Sequence, residues 1–211
     1  MSAPPPIAEP DFPLARLTTV RTGGPAAWFA RPRDDEQLVD LLRWADEESL
    51  AVGLIGSGSN LLVADDGFHG LAIKLDGDLA TIEREGERVL CGGGARLPSA
   101  AAKAAGWGLS GLEFGINIPG TAGGAVRMNA NAYGGELGRV LDWVEVATAA
   151  GVERRDPAEL GFTYRQSNLR PGEVVARACF LLRPGDPDEI RATLAEMRRR
   201  AVQFDHLAAG M

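Results

Sequence analysis

The chain has 211 residues, enough for one sizeable core or two small lobes, and its 45% hydrophobic and 24% charged content is that of an ordinary folded protein. A net charge of −7 argues against a nucleic-acid partner, which needs a basic face, and the one basic cluster, Arg198-Arg199-Arg200, falls late in a helical pattern where cations suit the dipole. Cys91 and Cys179 lack a CxxC partner or nearby histidine, so no metal site is expected and two buried free thiols are the default. No apolar run approaches the roughly 20 residues of a membrane span, and Met-Ser-Ala-Pro-Pro-Pro at the start is no signal peptide, so the expected location is cytoplasmic.

Residues 1–13 hold five of the thirteen prolines and no periodicity, which predicts a disordered leader. A short strand is expected over 18–22, broken by a turn at Gly23-Gly24-Pro25, with a second strand over 26–30. Residues 34–48 read as a helix: Asp34 and Gln37 form a capping box, and Leu38, Leu41, Leu42 and Ala45 share one face. Residues 51–55 form a buried strand that runs into Gly56-Ser57-Gly58-Ser59-Asn60. Residues 61–64, the turn at Asp65-Asp66-Gly67 and a strand over 71–75 complete a β-α-β-β lobe over 14–76. A second lobe is expected over 77–203, followed by a tail at 204–211.

In that second lobe, 80–84 and 88–91 pair as a hairpin around Glu85-Gly86-Glu87. A short helix over 98–105 is closed by Gly106. Strands follow at 140–148, 152–155 and 174–182, with one helical turn at 157–160. Asp186 and Glu189 cap a last helix whose inner stripe is Ile190, Leu194, Met197 and Ala201. The predicted class is α+β.

The densest glycine run is 116–135, with Gly120, Gly123, Gly124, Gly134 and Gly135 and Arg127 as its only cation. Alone it reads first as a plain glycine-rich loop between strands. Paired with Gly56-Ser57-Gly58-Ser59-Asn60 after a strand, it suggests two nests of backbone N–H groups and a ligand with two phosphates. A Rossmann reading fails, because Leu61 stands at the third glycine position and a turn follows where a helix should. A P-loop is excluded because no Gly-Lys-Ser or Gly-Lys-Thr occurs.

Six motifs in order carry a family resemblance. They are Thr22-Gly23-Gly24-Pro25-Ala26, Gly56-Ser57-Gly58-Ser59-Asn60-Leu61-Leu62, Gly111-Leu112-Glu113-Phe114 and Ile118-Pro119-Gly120-Thr121-Ala122-Gly123-Gly124-Ala125. Met128-Asn129-Ala130-Asn131-Ala132-Tyr133-Gly134 and Tyr164-Arg165-Gln166-Ser167 complete the set. From about residue 17 to 201 the chain resembles the UDP-N-acetylenolpyruvoylglucosamine reductase (UDP-N-acetylmuramate dehydrogenase) family, flavoenzymes of peptidoglycan precursor synthesis. The resemblance implies a two-lobed FAD-binding fold of the vanillyl-alcohol-oxidase (PCMH) type, with FAD between the lobes and NADPH as reductant. It assigns cofactor contacts to Ile55, Gly56, Ser57, Gly58, Ser59, Asn60, Leu61, Pro119, Gly120, Thr121, Gly123, Gly124, Asn129 and Asn131. Arg165 matches the arginine that stabilises an enolate while hydride reaches the enolpyruvyl group of a UDP-sugar; a salt-bridged surface arginine is the plain alternative. Tyr133 matches a substrate-side tyrosine, with core packing as its alternative.

The chain departs from the pattern at Asn117 and Asn131, where the family has glycine; asparagine tolerates a left-handed backbone better than most residues. No histidine lies in the first glycine loop, so non-covalent FAD is expected. The family's substrate-binding domain, with its proton-donating serine and a catalytic glutamate, has no counterpart after residue 203, and no serine follows Ser167. Three readings follow: the FAD-binding portion of the reductase, whose remaining domain or companion chain lies elsewhere; a standalone flavin-binding module; or an inactive fragment. Slow or absent turnover by these residues alone is the expectation.

Overall fold

Short apolar runs punctuated by glycine and proline become two sheets, with one helix between them. The computed structural model describes residues 3–59 and 61–209, with side chains through residue 201. The first sheet has the order β1-β2-β4-β3: β1 (Glu9–Pro13), β2 (Pro25–Ala30), β3 (Ala51–Leu54) and β4 (Phe68–Ile73). β1 runs antiparallel to β2, and β4 runs parallel to both β2 and β3. The expected disordered leader is thus corrected. Pro10 and Pro13 sit on an edge strand, where the missing N–H groups cost little, and Phe12 stacks on Phe29 with ring centroids 4.0 Å apart. No strand forms over 18–22, which follows a single 3-10 turn at Leu14–Leu17, nor over 61–64.

Helix α1 (Asp35–Glu47) starts where its cap predicts. The Asp34 carboxylate accepts from Gln37 N at 2.9 Å, while the Gln37 side chain accepts from Arg33 N at 3.0 Å, one residue before the reciprocal partner of a true capping box. Its buried stripe of Leu38, Leu41, Leu42 and Ala45 packs with Leu71 and Ile73 of the first sheet and with Ala147, Val174 and Ala176 of the second. Burying a leucine contributes about 2 kcal/mol, so α1 joins the two sheets through several such side chains.

The second sheet is antiparallel, in the order β11-β10-β12-β6-β5: β5 (Ile82–Glu85), β6 (Arg88–Gly92), β10 (Leu141–Thr148), β11 (Gly151–Arg155) and β12 (Val174–Leu181). Cys91 pairs with Ala178 and Cys179 with Leu90, so the two thiols face opposite sides of the sheet. Both are buried, and burial pushes the Cys91 thiol up to about 12 and Cys179 to about 11. An extra residue at Ala176 on β12 shifts the register between Glu145–Arg177 and Val146–Val175. Arg177 there donates to Asp35 of α1 and Glu145 of β10, at 2.7 and 2.9 Å.

The sheet's other face carries α2 (Leu97–Gly106), α3 (Ala122–Arg127) and α4 (Pro187–Ala209). Short pairs β7 (Leu109–Ser110) with β13 (Arg183–Pro184), and β8 (Asn131–Ala132) with β9 (Gly135–Glu136), tie the loops. Gly106 does not close α2. Trp107 is the cap, and the left-handed residue that follows is Gly108 at φ +70°. α4 begins where Asp186 accepts from the N–H groups of Asp188 and Glu189, and it runs on through the expected tail to Ala209; residues 210 and 211 lie outside the described residues. The first sheet draws on residues 9–73 and the second on 82–181, and the core crosses between them through α1.

Candidate functional site

The parallel strands β3 and β4 end together, and the chain leaves β3 straight into the first glycine run. A cleft of about 390 Å³ opens there, between 54–59 and Leu61 on one wall and residues from 118–131 on the other. A smaller cavity of about 130 Å³ shares Leu54, Ile55, Gly56, Thr121 and Gly124 and extends the cleft past Gly123 towards Arg127 and Glu173. A crevice beyond the carboxyl ends of parallel strands is where open α/β sheets hold ligands.

The walls are stitched together directly. Ser59 Oγ donates to the Pro119 carbonyl at 3.0 Å and lies 2.9 Å from Ser57 Oγ. Among the described residues, the backbone N–H groups of Gly56, Ser57, Gly58 and Ser59 find no acceptor within the protein. Thr121 Oγ1 caps α3 by accepting from Gly124 N at 3.4 Å.

The glycines sort into two kinds. A Cβ on Gly56 would meet Thr121 Oγ1 at 3.1 Å, and one on Gly58, at φ +72°, would meet the Leu17 carbonyl at 1.8 Å. Gly123 lies 3.0 Å, by the same measure, from the Gly93 carbonyl. Gly58 is required by the fold, whereas at Gly56 and Gly123 the Thr121 side chain and the Gly93 carbonyl would have to give by a few tenths of an ångström. A Cβ on Gly120 would meet nothing within 4 Å, and one on Gly124 only Thr121 Oγ1 at 3.5 Å. Neither has a positive φ, and Gly124 sits inside α3, where glycine costs about 1 kcal/mol relative to alanine. Both line the cleft, so their missing side chains keep space there that a flat or extended ligand can fill.

Arg165 enters the same cleft from a two-residue turn. Thr163 N donates to the Gln166 carbonyl at 3.0 Å and Gln166 N to the Thr163 carbonyl at 3.3 Å, with Arg165 at φ +55°. Among the described residues its guanidinium makes no hydrogen bond or ion pair, and the residue is exposed at the cleft. The turn is anchored below: Ser167 Oγ donates to the Arg127 carbonyl at 2.8 Å, and Asn129 Nδ2 donates to the Thr163 carbonyl at 3.1 Å.

Of the predicted contacts, Ile55, Gly56, Ser57, Gly58, Ser59, Leu61, Pro119, Gly120, Thr121, Gly124, Asn131 and Arg165 line the cleft, and Gly123 lines its extension. Asn60 lies outside the described residues. Asn129 is corrected: it is fully buried at φ +39°, and its amide is spent on Glu136, Thr163 and Gly138 N. It shapes the wall from behind. Tyr133 also stands apart from the cleft. Its hydroxyl accepts from Asn117 Nδ2 at 3.1 Å, and its side chain borders a groove against α4. Asn117 also donates to the Met197 carbonyl at 2.8 Å, so it holds α4, and neither Asn117 nor Asn131 adopts a left-handed backbone.

Sequence reasoning missed Met128 and Ala130 on the wall, and Lys74 behind it. Lys74 Nζ donates to the Gly56 carbonyl at 3.1 Å. Burial first, then the nearby Arg31 and Arg96, drive its ammonium below the usual lysine range, with Asp76 opposing. The only signal in sequence was a lysine directly after an apolar strand. Among the described residues no group of three His, Cys, Asp or Glu side chains could hold a metal, and no helix is long and apolar enough to cross a membrane.

Comparison with known proteins decides what kind of cleft this is. The FAD binding domain family matches residues 26–155. The crystal structure of a UDP-N-acetylenolpyruvylglucosamine reductase from Thermus caldophilus superposes with a TM-score of 0.81 and 37% identity, over 92% of this chain and 68% of that one. The chain belongs to the UDP-N-acetylenolpyruvoylglucosamine reductase family. A reductase of that name from Rubrobacter xylanophilus is 43% identical over 195 residues, covering 92% of this chain. The chain spans 66% of that protein's length, and 63% and 57% of two further reductase-family relatives, so less than two thirds of each. 6-Hydroxy-D-nicotine oxidase from Arthrobacter nicotinovorans, at TM-score 0.55 and 19% identity, shares the fold alone. The two sheets around α1 are thus the two-lobed FAD-binding fold of the PCMH type.

Proposed function

We propose that these residues form the FAD-binding portion of a reductase that converts UDP-N-acetylenolpyruvoylglucosamine to UDP-N-acetylmuramate with NADPH as reductant. The observation that carries the reading is the pairing of Gly120 and Gly124, both open to the cleft, with the unsatisfied N–H groups of the facing loop. Ile55 to Ser59, with Asn60 and Leu61, would hold the cofactor's diphosphate on one wall. Pro119, Gly120, Thr121 and Gly124, with Asn131 beyond them and Gly123 in the extension, would pack against it on the other. FAD, when bound without a covalent link, supplies the hydride relay between NADPH and the enolpyruvyl double bond.

Arg165 is the chain's own contribution to chemistry. A free guanidinium on a fixed turn, facing the cleft, is placed to stabilise negative charge that develops on an enolate. Tyr133, engaged by Asn117 away from the cleft, is assigned a packing role. Groups that protonate the substrate belong, on this reading, to parts of the full-length relatives beyond the matched region. Free Cys91 and Cys179 suit a reducing compartment, in keeping with a cytoplasmic enzyme.

The test is an absorbance spectrum of the purified chain after incubation with FAD and removal of unbound flavin, followed by anaerobic NADPH. A protein-bound flavin band that bleaches supports the reading. A band that persists with NADPH favours a flavin-binding module, and failure to retain flavin overturns the cofactor assignment.

A further inference from the structure

The first glycine loop is backed by a charge that no motif announced. Lys74 is the residue after β4, and it is half-buried. Its backbone N–H donates to the Ala30 carbonyl at 3.0 Å, and the neighbouring Ile73 carbonyl accepts from Ile55 N at 2.8 Å. Both flanking strands therefore fix where the lysine leaves the sheet. Its ammonium ends 3.1 Å from the Gly56 carbonyl.

That carbonyl shares a peptide unit with Ser57 N–H. The peptide is trans, so the two groups point in opposite directions across it. A cation bound to the oxygen therefore leaves Ser57 N–H aimed away from Lys74, and it withdraws electron density from the amide, which strengthens the N–H as a donor. Gly56 and Ser57 both line the cleft, and among the described residues Ser57 N–H has no acceptor within the protein. Lys74 itself is not part of the cleft wall.

Burial first, then Arg31, lowers the proton affinity of the Lys74 ammonium; Asp76 acts the other way, and Arg96 adds a smaller lowering effect. Arg96 also sits at the second wall, bridged antiparallel to Thr121, with Leu97 N donating to the Gly120 carbonyl at 3.1 Å.

We infer that Lys74 is a positioning residue for the diphosphate of the cofactor, acting through the Gly56–Ser57 peptide and not by direct contact. This rests on the FAD reading above. The lysine pins and polarises the loop from behind, and the loop's N–H groups meet the phosphate oxygens in front.

The experiment is FAD titration of the 211-residue chain by calorimetry for wild type and Lys74→Met, with 31P NMR of each protein at saturating FAD. Loss of a charge-assisted bond behind the nest is expected to weaken FAD binding about tenfold. The phosphorus resonances of bound FAD should move, while the visible flavin band and the melting temperature of the apo protein stay as in wild type. Unchanged affinity overturns the inference. So does weakened affinity with unmoved phosphorus resonances, since the lysine would then act only on the general fold. Should Lys74→Met fail to fold, Lys74→Gln, which also removes the charge, is read in the same way. A wild-type chain that retains no FAD removes the cofactor reading itself and this inference with it, whereas wild-type binding without the Lys74 effect removes this inference alone.

Discussion

The two glycine loops that face each other across the cleft have similar compositions and opposite reasons for them. In the first, Gly58 is a glycine because the Leu17 backbone occupies the space a side chain would need, and Gly56 is tightly faced by the Thr121 side chain. In the second, Gly120 and Gly124 have open space around them and ordinary backbone angles. The first loop is shaped by the fold so that its N–H groups emerge on one side. The second is kept bare for something that the fold does not supply. A glycine-rich motif thus marks a binding site most directly where its glycines have no internal justification.

The largest expected effect tests the first loop. Gly58→Val should destabilise the fold by about 3 kcal/mol, from left-handed strain and the clash with Leu17, read as a lowered urea midpoint. A variant as stable as wild type would break the contrast. Asn129→Ala follows, at about 2 kcal/mol. It leaves Gly138 N without its side-chain acceptor, and it releases Thr163 on the turn that carries Arg165. The measurement is again the urea midpoint.

A smaller effect concerns the floor of the cleft's extension. Glu173 accepts from Arg155 at 2.7 Å, and that bond, with the Arg170 N–H, holds its carboxyl below the usual glutamate range despite burial. A depressed folded-state value means stability that is present above the unfolded value and lost as pH falls through the folded one. Glu173→Gln should therefore cost about 1 kcal/mol near neutral pH and flatten the acid side of the stability curve. Equal acid sensitivity in both proteins would contradict this.

Much of the fold was legible. The apolar stripe and cap of α1, the hairpin of β5 and β6, and the strands β10 to β12 follow from period and turn chemistry. What escaped depends on partners distant in sequence. β1 carries two prolines and is a strand only because an edge beside β2 tolerates them. β4 inserts between β2 and β3, a pairing that no local pattern encodes. Gly106 and Gly108 are equally plausible stops for α2, and only the backbone angle separates them. The cleft was legible because most of its wall comes from two contiguous motifs. Lys74 was missed, and Asn129 misplaced, because their roles lie in which carbonyls they reach, and the Tyr133 hydroxyl turns toward Asn117, outside the cleft lining.

The smallest expected effect on stability separates the two loops most finely. Gly124→Ala should leave the protein equally stable or firmer by up to about 1 kcal/mol, since it removes a helix glycine and meets only ordinary contact. The same methyl enters the cleft and should weaken FAD binding. A loss of stability would place Gly124 with the fold-imposed glycines.

The space beside the second loop is assigned to FAD, and the most direct measurement is FAD affinity of wild type against Gly120→Val, each with its melting temperature. A tight complex is expected for wild type and, for the variant, an unchanged melting temperature with FAD binding lost or weakened by at least about tenfold. Equal FAD binding by the two proteins would contradict it.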